Sequence, residues 1–192
     1  MVAWPLGSRL ALRSAPGSDR VLAVTAQRTE FGSRTSLPVV AVRGSWAEVM
    51  SPLLRNDEHA FVPLDRVKLT HTPFALEVDL SRRQLRVWRS GEVHRRVSVA
   101  VGAPATRTPI GRFAVTDELY DFNSSAYGYC ILALSGHQTH MPVGWTGGDR
   151  LAIHGGGGLG AAVSNGCLHA SEANLRWLMR RVPLGTQVII HP

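Results

Sequence analysis

Ile153-His154-Gly155-Gly156-Gly157-Gly158, followed after a short gap by Val163-Ser164-Asn165-Gly166-Cys167-Leu168-His169, sets a histidine and a cysteine in one glycine-rich stretch. A free thiol is mostly protonated near neutral pH, and an adjacent imidazole activates it by stabilising the thiolate or by taking its proton. Gly166 lets the chain turn tightly before the cysteine, so that main-chain N–H groups face the oxyanion formed when a carbonyl is attacked. A structural cysteine usually sits among apolar residues, whereas Cys167 lies among Ser164, Asn165, Gly166 and His169. The stretch therefore reads as a cysteine nucleophile paired with a histidine.

Ser164-Asn165-Gly166-Cys167 preceded by Ile153-His154-Gly155 resembles the active-site signature of the L,D-transpeptidases, the YkuD-like enzymes that cross-link peptidoglycan. Leu76-Glu77-Val78-Asp79-Leu80-Ser81, Gln84-Leu85-Arg86-Val87 and Arg107-Thr108-Pro109-Ile110-Gly111-Arg112-Phe113 are similar to that domain's opening strands and its Thr-Pro-x-Gly-x-Phe turn. The resemblance covers residues 74 to 191, in the family's order. It departs twice: nine residues separate His154 from Ser164, fewer than in many relatives, and His169 stands where arginine or asparagine is commoner.

The resemblance implies a role for each matched residue. Cys167 is the nucleophile, attacking the third residue's carbonyl in a donor stem tetrapeptide, releasing D-Ala and leaving a thioester. His154 is its base, the Gly155 carbonyl orients that imidazole, and the N–H groups of Gly166 and Cys167 form the oxyanion hole. Ser164, Asn165 and His169 contact substrate. An amine of a second stem peptide accepts the acyl group, with water as the competitor in an L,D-carboxypeptidase. The implied partners are peptidoglycan stem peptides, and neither a metal nor an organic cofactor is expected.

A chain of 192 residues with 44% hydrophobic content is long enough for a real core and too apolar for disorder. Its net charge of +7 is spread along the sequence. Residues 1–73 hold nine basic and six acidic side chains, and the remainder twelve and eight, without the dense block of a nucleic-acid-binding arm. No nucleic-acid partner is expected; an anionic cell-wall polymer suits the charge, and oligomeric state stays open. No run of 18 apolar residues is present, and Met1-Val2-Ala3-Trp4-Pro5 lacks a basic region followed by an apolar core. A wall substrate is extracytoplasmic, so the expectation is a chain trimmed of its export segment.

The fold expected is mainly β: a small SH3-like barrel over residues 1–70, then a β-rich L,D-transpeptidase sandwich over 74–192 with one or two short helices. Val21–Val24, Pro38–Val42 and Trp46–Met50 are β-prone runs separated by turn residues. Gly44-Ser45-Trp46-Ala47-Glu48-Val49 with Ala60-Phe61-Val62-Pro63-Leu64 looks like the last strands of a bacterial SH3-like domain, either wall-binding or ancillary. Thr70-His71-Thr72-Pro73 reads as the linker. Beyond it, Phe74–Val78, Gln84–Trp88, Val97–Val101 and Gly111–Val115 read as strands, with a hairpin turn at Ser90-Gly91. Ser171 is the expected N-cap of a helix whose Leu175, Leu178, Met179 and Val182 form one apolar stripe. Between Asp117 and Asp149 the pattern is irregular, and Tyr127 or Tyr129 is a further candidate to touch the donor.

Other chemistries compete for the same residues. Cys130 in Tyr129-Cys130-Ile131-Leu132-Ala133-Leu134 reads as buried and inert, but a Cys130–Cys167 disulfide would consume the nucleophile. Gly155, Gly157 and Gly160 match G-x-G-x-x-G without a following helix or a βαβ frame, which argues against a dinucleotide. His154-Gly155-Gly156-Gly157 imitates an esterase oxyanion loop, yet no G-x-S-x-G elbow accompanies it. His137, His140, His154, Cys167 and His169 are zinc-compatible, without an HExxH helix or a second cysteine pair. Wall endopeptidases place cysteine before histidine, and a sortase-like reading needs an arginine, for which Arg176 falls on the expected helix. A wall-binding protein with an inactive transpeptidase fold is the non-enzymatic alternative.

Overall fold

The computed structural model describes residues 1–120 and 126–192. Seven strands come from the N-terminal third: β1 (Val2–Pro5), β2 (Arg9–Arg13), β3 (Val21–Ala26), β4 (Leu37–Arg43), β5 (Trp46–Val49), β6 (Ala60–Pro63) and β7 (Val67–Thr70). They form one sheet in the order β3-β2-β6-β5-β4-β1-β7. Alternation explains its inner face, because Leu10 and Leu12 of β2 and Ala47 and Val49 of β5 point inward while their neighbours face out. With Leu37, Val39, Leu54, Ala60 and Val62 they close a core of their own. This nearly closed sheet is compatible with an SH3-like barrel. It starts earlier than the β-prone runs indicated, since Val2–Pro5 pairs with both β4 and β7.

The second sheet uses β8 (Phe74–Asp79), β9 (Gln84–Arg89), β10 (Glu92–Ser98), β11 (Val101–Gly102), β12 (Gly111–Leu119), β13 (Ile131–His137), β14 (Arg150–Gly155), β15 (Ala162–Ser164), β16 (Leu168–Ala170) and β17 (Gln187–His191). Eight of these run in the order β10-β9-β8-β17-β12-β13-β14-β16, and β11 pairs separately with β15. Val97–Val101, expected as one strand, is divided: β10 ends at Ser98 and β11 begins at Val101. The break lets Ala100 exchange backbone hydrogen bonds with His169, at 3.0 and 3.1 Å, and so carries the chain to the far edge. Ser90 and Gly91 both have positive φ, 52° and 87°, as the tight hairpin turn requires.

Among the described residues there is one α-helix, α1 (Glu172–Arg181). Ser171 caps it by accepting from Asn174 N–H, and Leu175, Leu178 and Met179 enter the second core beside Leu76, Phe113, Leu134 and Ile153. Neither cysteine is in a disulfide, Cys130 being buried in this core and Cys167 lying outside it, so the disulfide alternative falls.

The two modules meet through polar contacts beside β13 and β14. Asn56 donates to His137 O at 2.7 Å and accepts from His137 N–H at 2.8 Å, as a neighbouring strand would. His137 Nε2 also bonds Pro52 O at 2.9 Å. Thr29 hydrogen-bonds the fully buried Asp117, and Glu30 pairs with the Arg150 guanidinium, which further binds Leu134 O and Thr116 Oγ1. Replacing Asn56 with alanine leaves two strand-edge groups without partners, an expected cost of about 1–3 kcal/mol. For a chain of this length that lowers the melting temperature by about 5 °C, readable by calorimetry; an unchanged transition would mean that the contact contributes nothing.

Candidate active site

The nucleophile candidate sits where β14 meets the edge strand β16. These strands are parallel, with Ile153 opposite Leu168 and His154 opposite His169. Ile153 and Leu168 face the core, so His154 and His169 occupy the other face, with Cys167 immediately before β16. That face opens on a cavity of about 270 Å³ whose lining includes Tyr127, Gln138, His154, Asn165, Cys167 and His169. A larger cavity of about 610 Å³ lies at the junction of the modules, lined by Asp57, Arg107, Ile110 and His140, and does not contain the cysteine and histidine pair.

His154 is 4% exposed, and its Nδ1 lies 2.6 Å from Gly155 O. A carbonyl only accepts, so Nδ1 carries the proton and Nε2 keeps a lone pair. The Tyr127 ring meets His154 edge-on at 4.8 Å, and the His169 ring lies against it at 4.8 Å with a tilt of 50°. Burial drives the His154 pKa down to about 4; the Gly155 carbonyl opposes this and the charge of His169 adds to it. His154 is therefore neutral at neutral pH.

Burial raises the Cys167 thiol above its ordinary value, against a hydrogen bond from the Ala152 backbone. Its Sγ lies 3.9 Å from Arg150 O. The sequence suggests an imidazole that lowers the thiol pKa, whereas the structure gives a resting pair in which both groups are neutral. Desolvation is the reason, since it penalises the thiolate and the imidazolium alike. Burial also raises the Tyr127 hydroxyl, with a smaller contribution from the nearby Cys167.

The loop before Cys167 is braced from inside. Gly166 has φ +115°, and its N–H donates to Ser164 Oγ at 3.1 Å. Ser164 Oγ in turn donates to Cys167 O at 2.5 Å. In the resting loop the Gly166 N–H is thus engaged by Ser164, and the buried Ser164 hydroxyl braces the turn. Asn165 is exposed at the cavity lip, and the half-buried His169 donates from Nδ1 to Gly157 O at 3.0 Å.

The Thr-Pro turn supports the same loop, because Thr106 Oγ1 donates to Ser164 O and Thr108 Oγ1 donates to Gly166 O, each at 2.8 Å. Gln138, which sequence reasoning missed, joins these pieces. Its Nε2 lies 3.0 Å from Thr106 O, 3.2 Å from Arg107 O and 2.8 Å from Asn165 O, while its Oε1 accepts from the N–H groups of Thr139 and His140. Gly155 is held between Glu172 and the Tyr127-Gly128 turn, and its N–H donates to Tyr127 O at 2.8 Å.

The competing residues are placed elsewhere. His137 is engaged by Asp149 and Pro52, and among the described residues no three His, Cys, Asp or Glu side chains gather closely enough to hold a metal. Arg176 lies on α1 over the Tyr129 ring at 4.2 Å, outside the lining of the Cys167 cavity.

A family model described as the L,D-transpeptidase catalytic domain, YkuD, matches residues 73–190. The YkuD protein of Bacillus licheniformis, named as an L,D-transpeptidase, is 28% identical over 120 residues, which are 62% of this chain and 67% of that protein. In fold, the chain is similar to an L,D-transpeptidase from Mycobacterium smegmatis, with a TM-score of 0.50 and 19% identity over 81% of this chain and 82% of that one. It is similar also to the transpeptidase LdtMt1 solved with imipenem, with a TM-score of 0.50 and 18% identity over 81% and 99% of the two chains. With the family model spanning more than half of its length, the chain belongs to the L,D-transpeptidase family.

Proposed function

We propose that the protein is a peptidoglycan L,D-transpeptidase working through a Cys167 thioester outside the cytoplasm, where its substrate lies. The observation that carries this reading is the fixed tautomer of His154, which leaves an unprotonated Nε2 in the cavity that Cys167 also lines. As Cys167 Sγ bonds to the donor carbonyl carbon, its proton passes to His154 Nε2. The oxyanion is held by the Cys167 N–H, joined by the Gly166 N–H when that group releases Ser164 Oγ. Collapse breaks the amide bond, and His154 returns the proton to the departing nitrogen of D-Ala. An amine of a neighbouring stem then attacks the thioester and yields its proton through His154, restoring the thiol. Asn165 and His169 are the substrate contacts in this reading. The N-terminal module serves to brace β12, β13 and β14, supported by the bonds of Thr29 to Asp117, Asn56 to His137 and Glu30 to Arg150.

The test uses a carbapenem, because the β-lactam carbonyl traps an acylating cysteine. Intact-mass measurement should show one adduct on the wild-type chain and none on Cys167→Ala. An adduct of equal yield on both would remove the assignment. A tetrapeptide donor supplied with and without an amine then separates transfer from hydrolysis, and product formed only as the shortened peptide would make the enzyme a carboxypeptidase.

A further inference from the structure

Proton transfer at His154 depends on one hydrogen bond, since the Gly155 carbonyl keeps the proton on Nδ1 and leaves Nε2 to accept. That carbonyl belongs to the first of four consecutive glycines, Gly155 to Gly158, a run with more backbone freedom than any other residue type gives. The sheet does little to hold it. On the β13 side the ladder ends at His154, opposite Ile131, and on the β16 side it ends at Gly155, opposite Ala170. The orienting carbonyl thus sits where regular pairing stops.

A clamp closes on this point from α1. Glu172, the first residue of the helix, lies five positions after Cys167, and its Oε1 accepts from Tyr129 N–H at 2.9 Å. The same oxygen fills the space left by two glycines: a Cβ would fall 2.3 Å from it at Gly128 and 2.9 Å from it at Gly155. Gly128 has φ +73°, so the Tyr127-Gly128-Tyr129 turn folds back on Gly155, and Tyr127 O accepts the Gly155 N–H at 2.8 Å. The turn also carries the Tyr127 ring that meets His154 edge-on. Glu172 Oε2, by contrast, is buried with no hydrogen-bond partner among the described residues, and Arg176 Nε stands 3.9 Å away. An unmatched buried carboxylate oxygen costs stability, which argues that the acid is there for the bond its other oxygen makes. Glu172 is outside the lining of the Cys167 cavity, so it acts through Gly155 and not on a ligand.

We propose that Glu172 is a positioning residue for proton transfer: by tying the Tyr127-Gly128-Tyr129 turn against Gly155, it fixes the carbonyl that sets the His154 tautomer. The proposal rests on His154 serving as the base for Cys167. Without the clamp the carbonyl swings within the glycine run, and the imidazole divides between its two neutral tautomers. The Nε2–H form cannot take the thiol proton.

The test compares the wild type with Glu172→Ala and Glu172→Gln, the glutamine keeping an oxygen for Tyr129 N–H. Nitrogen-15 spectra at neutral pH report the tautomer, with the His154 signals identified by their loss in His154→Gln. The wild type should show Nδ1 protonated and Nε2 bare. Glu172→Ala should populate the Nε2–H form, and Glu172→Gln should restore the wild-type pattern. Carbapenem acylation, followed by mass, should slow about ten- to a hundredfold in Glu172→Ala through its limiting rate, with the half-saturating concentration unchanged, and should return to within about threefold of the wild type in Glu172→Gln. A lower melting temperature with an unmoved tautomer would make Glu172 structural only and overturn the proposal. An alanine variant with the wild-type tautomer and rate, or a glutamine variant as impaired as the alanine one, would also overturn the clamp while leaving acyl transfer at Cys167 standing. A wild type that forms no adduct would remove acyl transfer and the positioning role with it.

Discussion

Replacing His154 with glutamine should slow acylation of Cys167 by about three orders of magnitude, the scale of a lost general base. Glutamine is neutral and of similar reach, but it cannot accept the thiol proton. In the wild type the base is available wherever the imidazole is uncharged. With its pKa held at about 4 by burial, kcat/KM should stay level from about pH 5 toward neutrality and fall as the pH drops through about 4. The glutamine variant should lose that acid limb. Alkylation by iodoacetamide offers a separate check, because a neutral thiol reacts slowly. Cys167 should be modified sluggishly at pH 6 and faster as the pH rises; fast modification at pH 6 would instead indicate a thiolate–imidazolium pair.

The same depressed pKa links stability to pH. In the folded chain His154 takes a proton only near pH 4, whereas in the unfolded chain it does so near its ordinary value of 6.5. Between these limits the unfolded state binds more protons, so stability rises with pH and is lost as the pH falls from 6.5 through 4. The full interval is worth about 3 kcal/mol. Melting curves of His154→Gln should therefore be flatter across this window than those of the wild type, and parallel curves would show that His154 is not held neutral.

How far the chain could be read in advance depended on the range of the interactions involved. The helix was legible because its cap and stripe are local: Ser171 and the Leu175, Leu178, Met179 spacing carry the whole signal. Strands with clean alternation, such as Gln84–Arg89, were legible for the same reason. Val2–Pro5 was not, since a four-residue strand has little pattern of its own and is defined by its partners β4 and β7. The Cys167 and His154 pair stood out by residue type and spacing. Its charge state did not, because desolvation depends on what the rest of the chain packs around it. Gln138 left no mark in the sequence: its partners Thr106, Arg107 and Asn165 lie 32, 31 and 27 residues away, and a polar residue after a strand ordinarily faces solvent.

Gly166→Ala tests whether that hidden support governs catalysis. The glycine has φ +115°, a conformation that side chains rarely adopt, and an added Cβ would fall 1.9 Å from Gln138 Nε2. Backbone strain and overpacking each cost about 1–3 kcal/mol, so the variant should lose about 2–5 kcal/mol of stability, or about 10 °C in melting temperature. Relief requires the loop or Gln138 to move. Either movement disturbs the Asn165 and Gly166 carbonyl anchors and displaces Cys167 from His154, so acylation should fall at least about a hundredfold. Adding Gln138→Ala separates the two causes. The second substitution removes the collision but neither the strain at φ +115° nor the loss of the amide's hydrogen bonds. The double variant should therefore be less destabilised than the sum of the single ones, by about 1–2 kcal/mol, with acylation still impaired. Strict additivity would assign the whole effect to the backbone, and wild-type acylation in Gly166→Ala would mean that the geometry of this loop does not position the nucleophile.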